Sequence, residues 1–212
     1  ERFPSIDQVR FCNSGTEANL MALSTARVTT GRNTLLAFND GYHGGVIKFL
    51  GGRCALNMPF DFVLADYNDI DGTASLIDQV GSDLAGVIVE PILGAGGNIQ
   101  GNRQFLRMLR EKTRETGALL IFDEVKTARL GPAGVQGMVG VEPDLTTLGK
   151  FIGGGLPTGA FGGSAEVMQQ FNPRRQGALA HAGTFNNNVF SMAAGCAAMS
   201  KTYTPERAAE FL

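Results

Sequence analysis

Two short segments, residues 86–89 and 118–122, carry no polar side chain at any position. A strand with one face in water alternates apolar and polar residues, because successive side chains point to opposite faces. A strand without alternation has both faces covered, as in parallel sheets flanked by helices. Further short apolar runs at 34–38, 62–64, 145–148 and 159–162 predict strands, and helical patterns fall at 16–29, 72–80, 103–115, 165–171 and 189–201. Strands alternating with helices predict an α/β fold, a three-layer αβα sandwich around a mainly parallel sheet. No internal repeat or low-complexity linker divides the chain, so a single domain is expected.

The 18 basic and 20 acidic residues give a formal net charge of −2, which offers no electrostatic footprint for nucleic acid or for anionic lipid. No apolar run approaches the length of a membrane span, so neither a transmembrane helix nor a signal peptide is expected. Cys12, Cys54 and Cys196 form no CxxC pair, which predicts a reduced, cytoplasmic setting. With two histidines far apart, His43 and His181, no metal site is expected. The 29 glycines among 212 residues are about twice the usual share and point to tight turns or close backbone approach to a ligand. The first residue is Glu1, and Thr204-Pro205-Glu206 reads as the start of a helix running to Leu212 without a stop signal. The chain is therefore expected to be an excerpt of a longer polypeptide.

In open α/β sheets ligands bind beyond the carboxyl ends of the strands, and the residues there make a coherent set. The run 118–122 passes directly into Asp123-Glu124. A buried carboxylate needs a cation or several hydrogen bonds, so these acids read either as fold-stabilising or as partners of a cationic ligand group. Lys150 follows a strand and a glycine and precedes Phe151-Ile152 and three glycines. Such surroundings suggest a partly desolvated amine suited to Schiff-base chemistry. Asn13-Ser14-Gly15-Thr16-Glu17-Ala18-Asn19 is a strand-to-helix turn whose open N–H groups suit a phosphate, with Ser14 or Thr16 as an ordinary helix cap on the plainer reading. Tyr42, between glycines and beside His43, can lie flat on a planar ligand or simply decorate a turn. No Walker loop, complete GxGxxG or GxSxG is present.

A phosphate cradle, a flat aromatic, a buried acid and a lysine together describe a site for pyridoxal 5'-phosphate. The segments Asn13–Ala18, Tyr42-His43-Gly44, Val89-Glu90-Pro91, Ile121–Val125 and Thr147–Lys150 with Ile152–Gly155 resemble the class III aminotransferases, which are fold-type-I pyridoxal phosphate enzymes. Thr147–Gly155, Arg129-Leu130 and Gly159–Gly163 are similar to the glutamate-1-semialdehyde aminomutase branch, and Ala182–Val189 with Tyr42–Gly45 to its β-phenylalanine aminotransferases. The resemblance implies that residues 1–212 form the large cofactor-binding domain, with small-domain segments lying outside them.

It further implies that Lys150 carries the cofactor covalently and shuttles a proton, and that Asp123 keeps the pyridine nitrogen protonated. Ser14, Gly15 and Thr16 would bind the phosphate. Tyr42 and Val125 would cover the two ring faces, and Glu90 would take an active-site position. Thr184 would reach the phosphate of a neighbouring subunit, implying a homodimer. The implied activity is transfer of an amino group from an amino acid, a β-amino acid favoured, or an amine to a keto acid. The alternative is a glutamate-1-semialdehyde aminomutase. Two positions depart from the pattern: Lys126 stands where many relatives have a glutamine that contacts the ring hydroxyl, and Ala95 where aminomutases can use an asparagine.

Overall fold

The residues that lack alternation lie at the centre of the sheet. In the computed structural model, which describes residues 2–210, the chain runs β1 (Gln8–Cys12), α1 (Gly15–Thr30), β2 (Thr34–Phe38), β3 (Asp61–Ala65), α2 (Ile70–Val80), β4 (Leu84–Val89), β5 (Ile92–Leu93) and β6 (Ile99–Gln100). It continues through α3 (Arg103–Thr116), β7 (Leu119–Asp123), α4 (Gly134–Val139), β8 (Leu145–Gly149), β9 (Gly159–Gly163), α5 (Ala165–Met168), α6 (Val189–Ala197) and α7 (Pro205–Ala209). Seven strands form one sheet in the order β1-β9-β8-β7-β4-β2-β3, and β5 and β6 make a separate small hairpin. β9 runs antiparallel to both its neighbours, while the other pairings are parallel.

The two apolar runs occupy β4 and β7, which pair from Gly86↔Leu119 to Val89↔Phe122. Their side chains divide between two cores, alternately along β7 and along β4 from Val87 onward, with a register shift in the β2–β4 pairing between Leu84 and Gly86. Ala85, Ile88 and Ile121 pack beneath α1, while Val87, Val89, Leu120 and Phe122 pack against Phe105, Leu106 and Leu109 of α3. The sandwich expected from the sequence is the one observed.

Several boundaries differ from the sequence reading, each for a local reason. β1 carries Gln8 and Arg10 on an edge strand with little burial, so its apolar signal is weak. α4 contains Gly137 and opens at Gly134, which lowers its helix propensity. The expected helix over 165–171 is the four residues of α5 followed by a 3-10 turn, Gln169–Phe171, and that over 189–201 is α6 widening into a π turn, Ala198–Thr202. The end of the last helix, expected at Leu212, lies outside the described residues. Among the described residues, no helix is long and apolar enough to cross a membrane.

Candidate active site

The parallel strands β1, β2, β4, β7 and β8 end at one edge of the sheet, and the residues that follow them enclose a cavity of about 440 Å³. Gly15, Thr16 and Asn19 come from the start of α1, and Tyr42, His43 and Gly44 from the loop after β2. Glu90, Gly94 and Ala95 follow β4, Asp123, Val125 and Lys126 come from the end of β7, and Lys150 follows β8. A second hollow of about 410 Å³ is lined by side chains such as Phe11, Leu148, Ile152 and Met192 and holds no carboxylate, histidine or lysine. Of these two hollows, only the first brings carboxylates, a histidine and lysines together.

Asp123 is buried and held from three directions. Its Oδ2 accepts Asn19 Nδ2 and faces His43 Nδ1, each at 2.8 Å, and its Oδ1 accepts the Val125 N–H at 3.0 Å. Asn19 is itself fixed, since Nδ2 also donates to the His43 carbonyl at 2.9 Å and Oδ1 accepts the Thr147 hydroxyl at 2.6 Å. Burial disfavours charge on His43, but the hydrogen bond and charge of Asp123, with Glu90 nearby, lift its pKa above the ordinary imidazole value. Asp123 thus keeps one carboxylate edge tied to donors in a wall of the cavity.

Glu124, the next residue, faces the other way. Its carboxylate accepts Val135 N–H at 3.1 Å, Gln136 N–H at 2.9 Å and the Thr127 hydroxyl at 2.7 Å. It neutralises the open N–H groups at the start of α4, and burial pushes its pKa up. Of the two acids, Asp123 lines the cavity and Glu124 builds the fold. We expect Glu124→Ala to lower unfolding free energy by roughly 3 kcal/mol, because two backbone donors and a hydroxyl lose their buried acceptor. A denaturant midpoint equal to wild type would contradict that role.

Glu90 serves both neighbouring loops: Oε2 accepts Tyr42 N–H at 2.9 Å and Oε1 accepts Gly94 N–H at 3.0 Å. Burial pushes its pKa up. Ser14 caps α1 by accepting Glu17 N–H at 3.1 Å, while Glu17 Oε2 accepts Asn13 N–H at 2.6 Å. The hydroxyl of Ser14 is thus used within the helix start, and Gly15 and Thr16 are the residues that face the cavity. A Cβ on Gly15 would lie 2.7 Å from Val125 Cγ1, and one on Gly149 would lie 3.2 Å from it, so Val125 is wedged between two glycines. Gly44 has φ +128°, and a Cβ there would collide with the Thr16 side chain.

Lys150 differs from its expected setting. It is exposed at the cavity rim, because Phe151 and Ile152 turn away into another apolar cluster, with Phe151 packed edge-on to Tyr203. Its backbone has φ +51°, a left-handed conformation that costs a non-glycine residue roughly 1–3 kcal/mol and concentrates at functional sites. Tyr42 lines the cavity and is partly exposed, and Thr184 lies exposed outside it, in a turn tied to the site by Asn13 Nδ2 donating to Asn186 Oδ1 at 3.0 Å. Sequence reasoning placed Asn19 at the end of the strand-to-helix motif and His43 beside Tyr42 but gave neither a role, since nothing local shows that both reach Asp123.

The family pattern described as aminotransferase class-III matches residues 1–207. The chain belongs to this family. It is 54% identical over 208 residues to a β-phenylalanine transaminase of Variovorax paradoxus, covering 98% of this chain and 48% of that protein. The crystal structure of a β-phenylalanine aminotransferase from Variovorax paradoxus superposes with a TM-score of 0.95 over 98% of this chain and 48% of its own. An omega-transaminase from Sphaerobacter thermophilus gives 0.88 at 43% identity, covering 97% and 51%. A glutamate-1-semialdehyde 2,1-aminomutase of Pyrobaculum calidifontis is 44% identical over 213 residues, covering 93% of this chain and 48% of that protein. The chain spans about half the length of the relatives it matches. The fold-type-I architecture expected of a class-III aminotransferase is the one found.

Proposed function

We propose that these residues form the large cofactor-binding domain of a longer pyridoxal-phosphate aminotransferase, moving an amino group from an amino acid to a keto acid with a β-amino acid as the favoured donor. The observation that carries this reading is the convergence in one cavity of Asp123, tied to Asn19 and His43, with Lys150 and the open start of a 16-residue helix. The residues suit the cofactor. Its phosphate fits a helix start cleared by Gly15 and Gly44, its ring a slot between Val125 and Tyr42, and its ring nitrogen the carboxylate of Asp123. Glu90 holds the loops that form the slot. The cofactor, when bound, supplies an aldehyde for amine exchange and a ring that accepts electrons.

The chain's own residues do the rest. Lys150 Nζ would hold the cofactor by its aldehyde group, and as an amine at the cavity rim it would be placed to take a proton from the substrate carbon that bears nitrogen. Asp123 holds a proton on the ring nitrogen, and Asn19 and His43 keep its carboxylate from rotating. Gly15 and Thr16 N–H groups anchor the phosphate at the positive end of α1. A homodimer is part of the proposal, with Thr184 reaching the site of the second subunit, as is a cytoplasmic location, which the free thiols of Cys12, Cys54 and Cys196 support.

The test is to follow the visible band of the loaded full-length protein during titration with β-phenylalanine and with glutamate-1-semialdehyde. Band loss with β-phenylalanine and release of a keto acid is expected. Turnover of the semialdehyde alone, with no keto acid formed, would replace the transaminase with an aminomutase.

His43 supplies a pH signature. Its folded pKa lies above the ordinary value, so its stabilising contribution is complete below about pH 6.5 and disappears as pH rises through the folded value. In the cofactor-free full-length protein, the advantage of wild type over His43→Gln in thermal stability is expected to shrink across that range. A difference that grows with pH would show that His43 is not protonated against Asp123.

A further inference from the structure

The left-handed backbone of Lys150, at φ +51°, persists in a residue other than glycine only where surrounding structure holds it. Lys150 opens the 3-10 turn Lys150–Gly153, and Gly154 N–H closes that turn on the Phe151 carbonyl at 3.1 Å. Phe151 and Ile152 anchor its apolar side in the cluster with Phe3 and Leu148. Its backbone is held by α6, a helix distant in sequence.

α6 meets the turn backbone to backbone. Gly195 is buried and faces Ile152 so closely that a Cβ on it would run into the Ile152 carbonyl oxygen. Gly154, left-handed at φ +59°, lies equally close to the Ala194 carbonyl. One turn earlier in α6, Ser191 Oγ donates to the Pro157 carbonyl at 2.9 Å and fixes the far end of the same loop. On the other side, a Cβ on Gly153 would sit 2.8 Å from Thr158 Oγ1. The turn is therefore clamped between α6 and the entry to β9. Glycine inside a helix is less stable than alanine, so propensity disfavours Gly195 and the close approach favours it.

We propose that α6 sets the position of Lys150, with Gly195 as the positioning residue. The helix holds the turn in the arrangement that brings Lys150 to the cavity. The chemical consequence rests on the pyridoxal-phosphate reading of the site, whereas the clamp itself does not.

The test compares full-length wild type with Gly195→Ala and with Ala197→Gly, a change at an exposed position of the same helix. Without cofactor, amide hydrogen exchange across residues 150–156 is expected to be roughly tenfold faster or more in Gly195→Ala and unchanged in Ala197→Gly, although helix propensity ranks the two variants the other way. With cofactor, the visible band should form, and then fade with saturating β-phenylalanine, roughly 10- to 100-fold more slowly in Gly195→Ala, as for a reacting group displaced by about 1 Å. Ser191→Ala removes only the bond to Pro157 and should speed the same exchange roughly fivefold, which carries the test if Gly195→Ala does not fold. Gly195→Ala matching wild type in either readout, or Ala197→Gly reproducing its effects, would overturn the proposal and leave the cofactor reading intact. A wild type that develops no visible band would overturn the cofactor reading, and amide exchange would still decide whether α6 holds the turn.

Discussion

Replacement of Lys150 by alanine is expected to leave a folded protein that turns over amino donors roughly 10⁴-fold more slowly or worse. Two losses combine. The only amine offered by β8 to the cavity disappears, so the cofactor is held by noncovalent contacts alone and can be removed by dialysis. The positioned base that would take the substrate proton disappears with it. Folding should be spared, because Lys150 is exposed and makes no ion pair among the described residues. Removal of the left-handed lysine does not relieve the backbone, because alanine is disfavoured at φ +51° as well; Lys150→Gly separates the two effects. Absorbance and single-turnover kinetics on the full-length protein check the outcome. A Lys150→Ala protein that retains the visible band through dialysis and turns over at the wild-type rate would remove the basis for the proposed function.

The second large effect is expected at Asp123. Asp123→Asn preserves size and removes the charge, and turnover should fall roughly 10²–10³-fold, as when one preorganised electrostatic partner is removed from an active site. The amide also disturbs the resting protein. Asn19 and His43 both direct nitrogen atoms at Oδ2, while Val125 N–H points at Oδ1. An amide has one oxygen, so in either orientation its NH₂ faces at least one donor. Because Lys150 is intact, the cofactor band should persist while turnover drops, in contrast to Lys150→Ala. Equal turnover in Asp123→Asn and wild type would show that the carboxylate does not serve the ring nitrogen.

Much of this arrangement is legible in the chain because the apolar runs of β4 and β7 define both the sheet and its carboxyl edge. Once those strands are placed, Glu90, Asp123 and Lys150 fall on that edge by sequence adjacency alone. The residues that hold Asp123 do not. His43 and Asn19 are 80 and 104 positions away from it and meet it only because β2, α1 and β7 converge. That Glu124 rather than Asp123 takes the fold-stabilising role was equally hidden, since it depends on α4, a helix that starts at one glycine and contains another. The expected shielding of Lys150 failed for a related reason. Apolar neighbours in sequence do not imply apolar neighbours in space, and Phe151 and Ile152 pack elsewhere.

The adjacent acids Asp123 and Glu124 also bear on how the protein can be altered. One carboxylate answers to the ligand cavity and the other to the loop and helix behind it, and no hydrogen bond joins them among the described residues. Asp123 therefore ties the cavity to Asn19 and His43, while Glu124 ties the end of β7 to the start of α4. A variant library that changes residues lining the cavity can hold Glu124, Thr127 and Gln136 fixed and so leave the support of α4 in place.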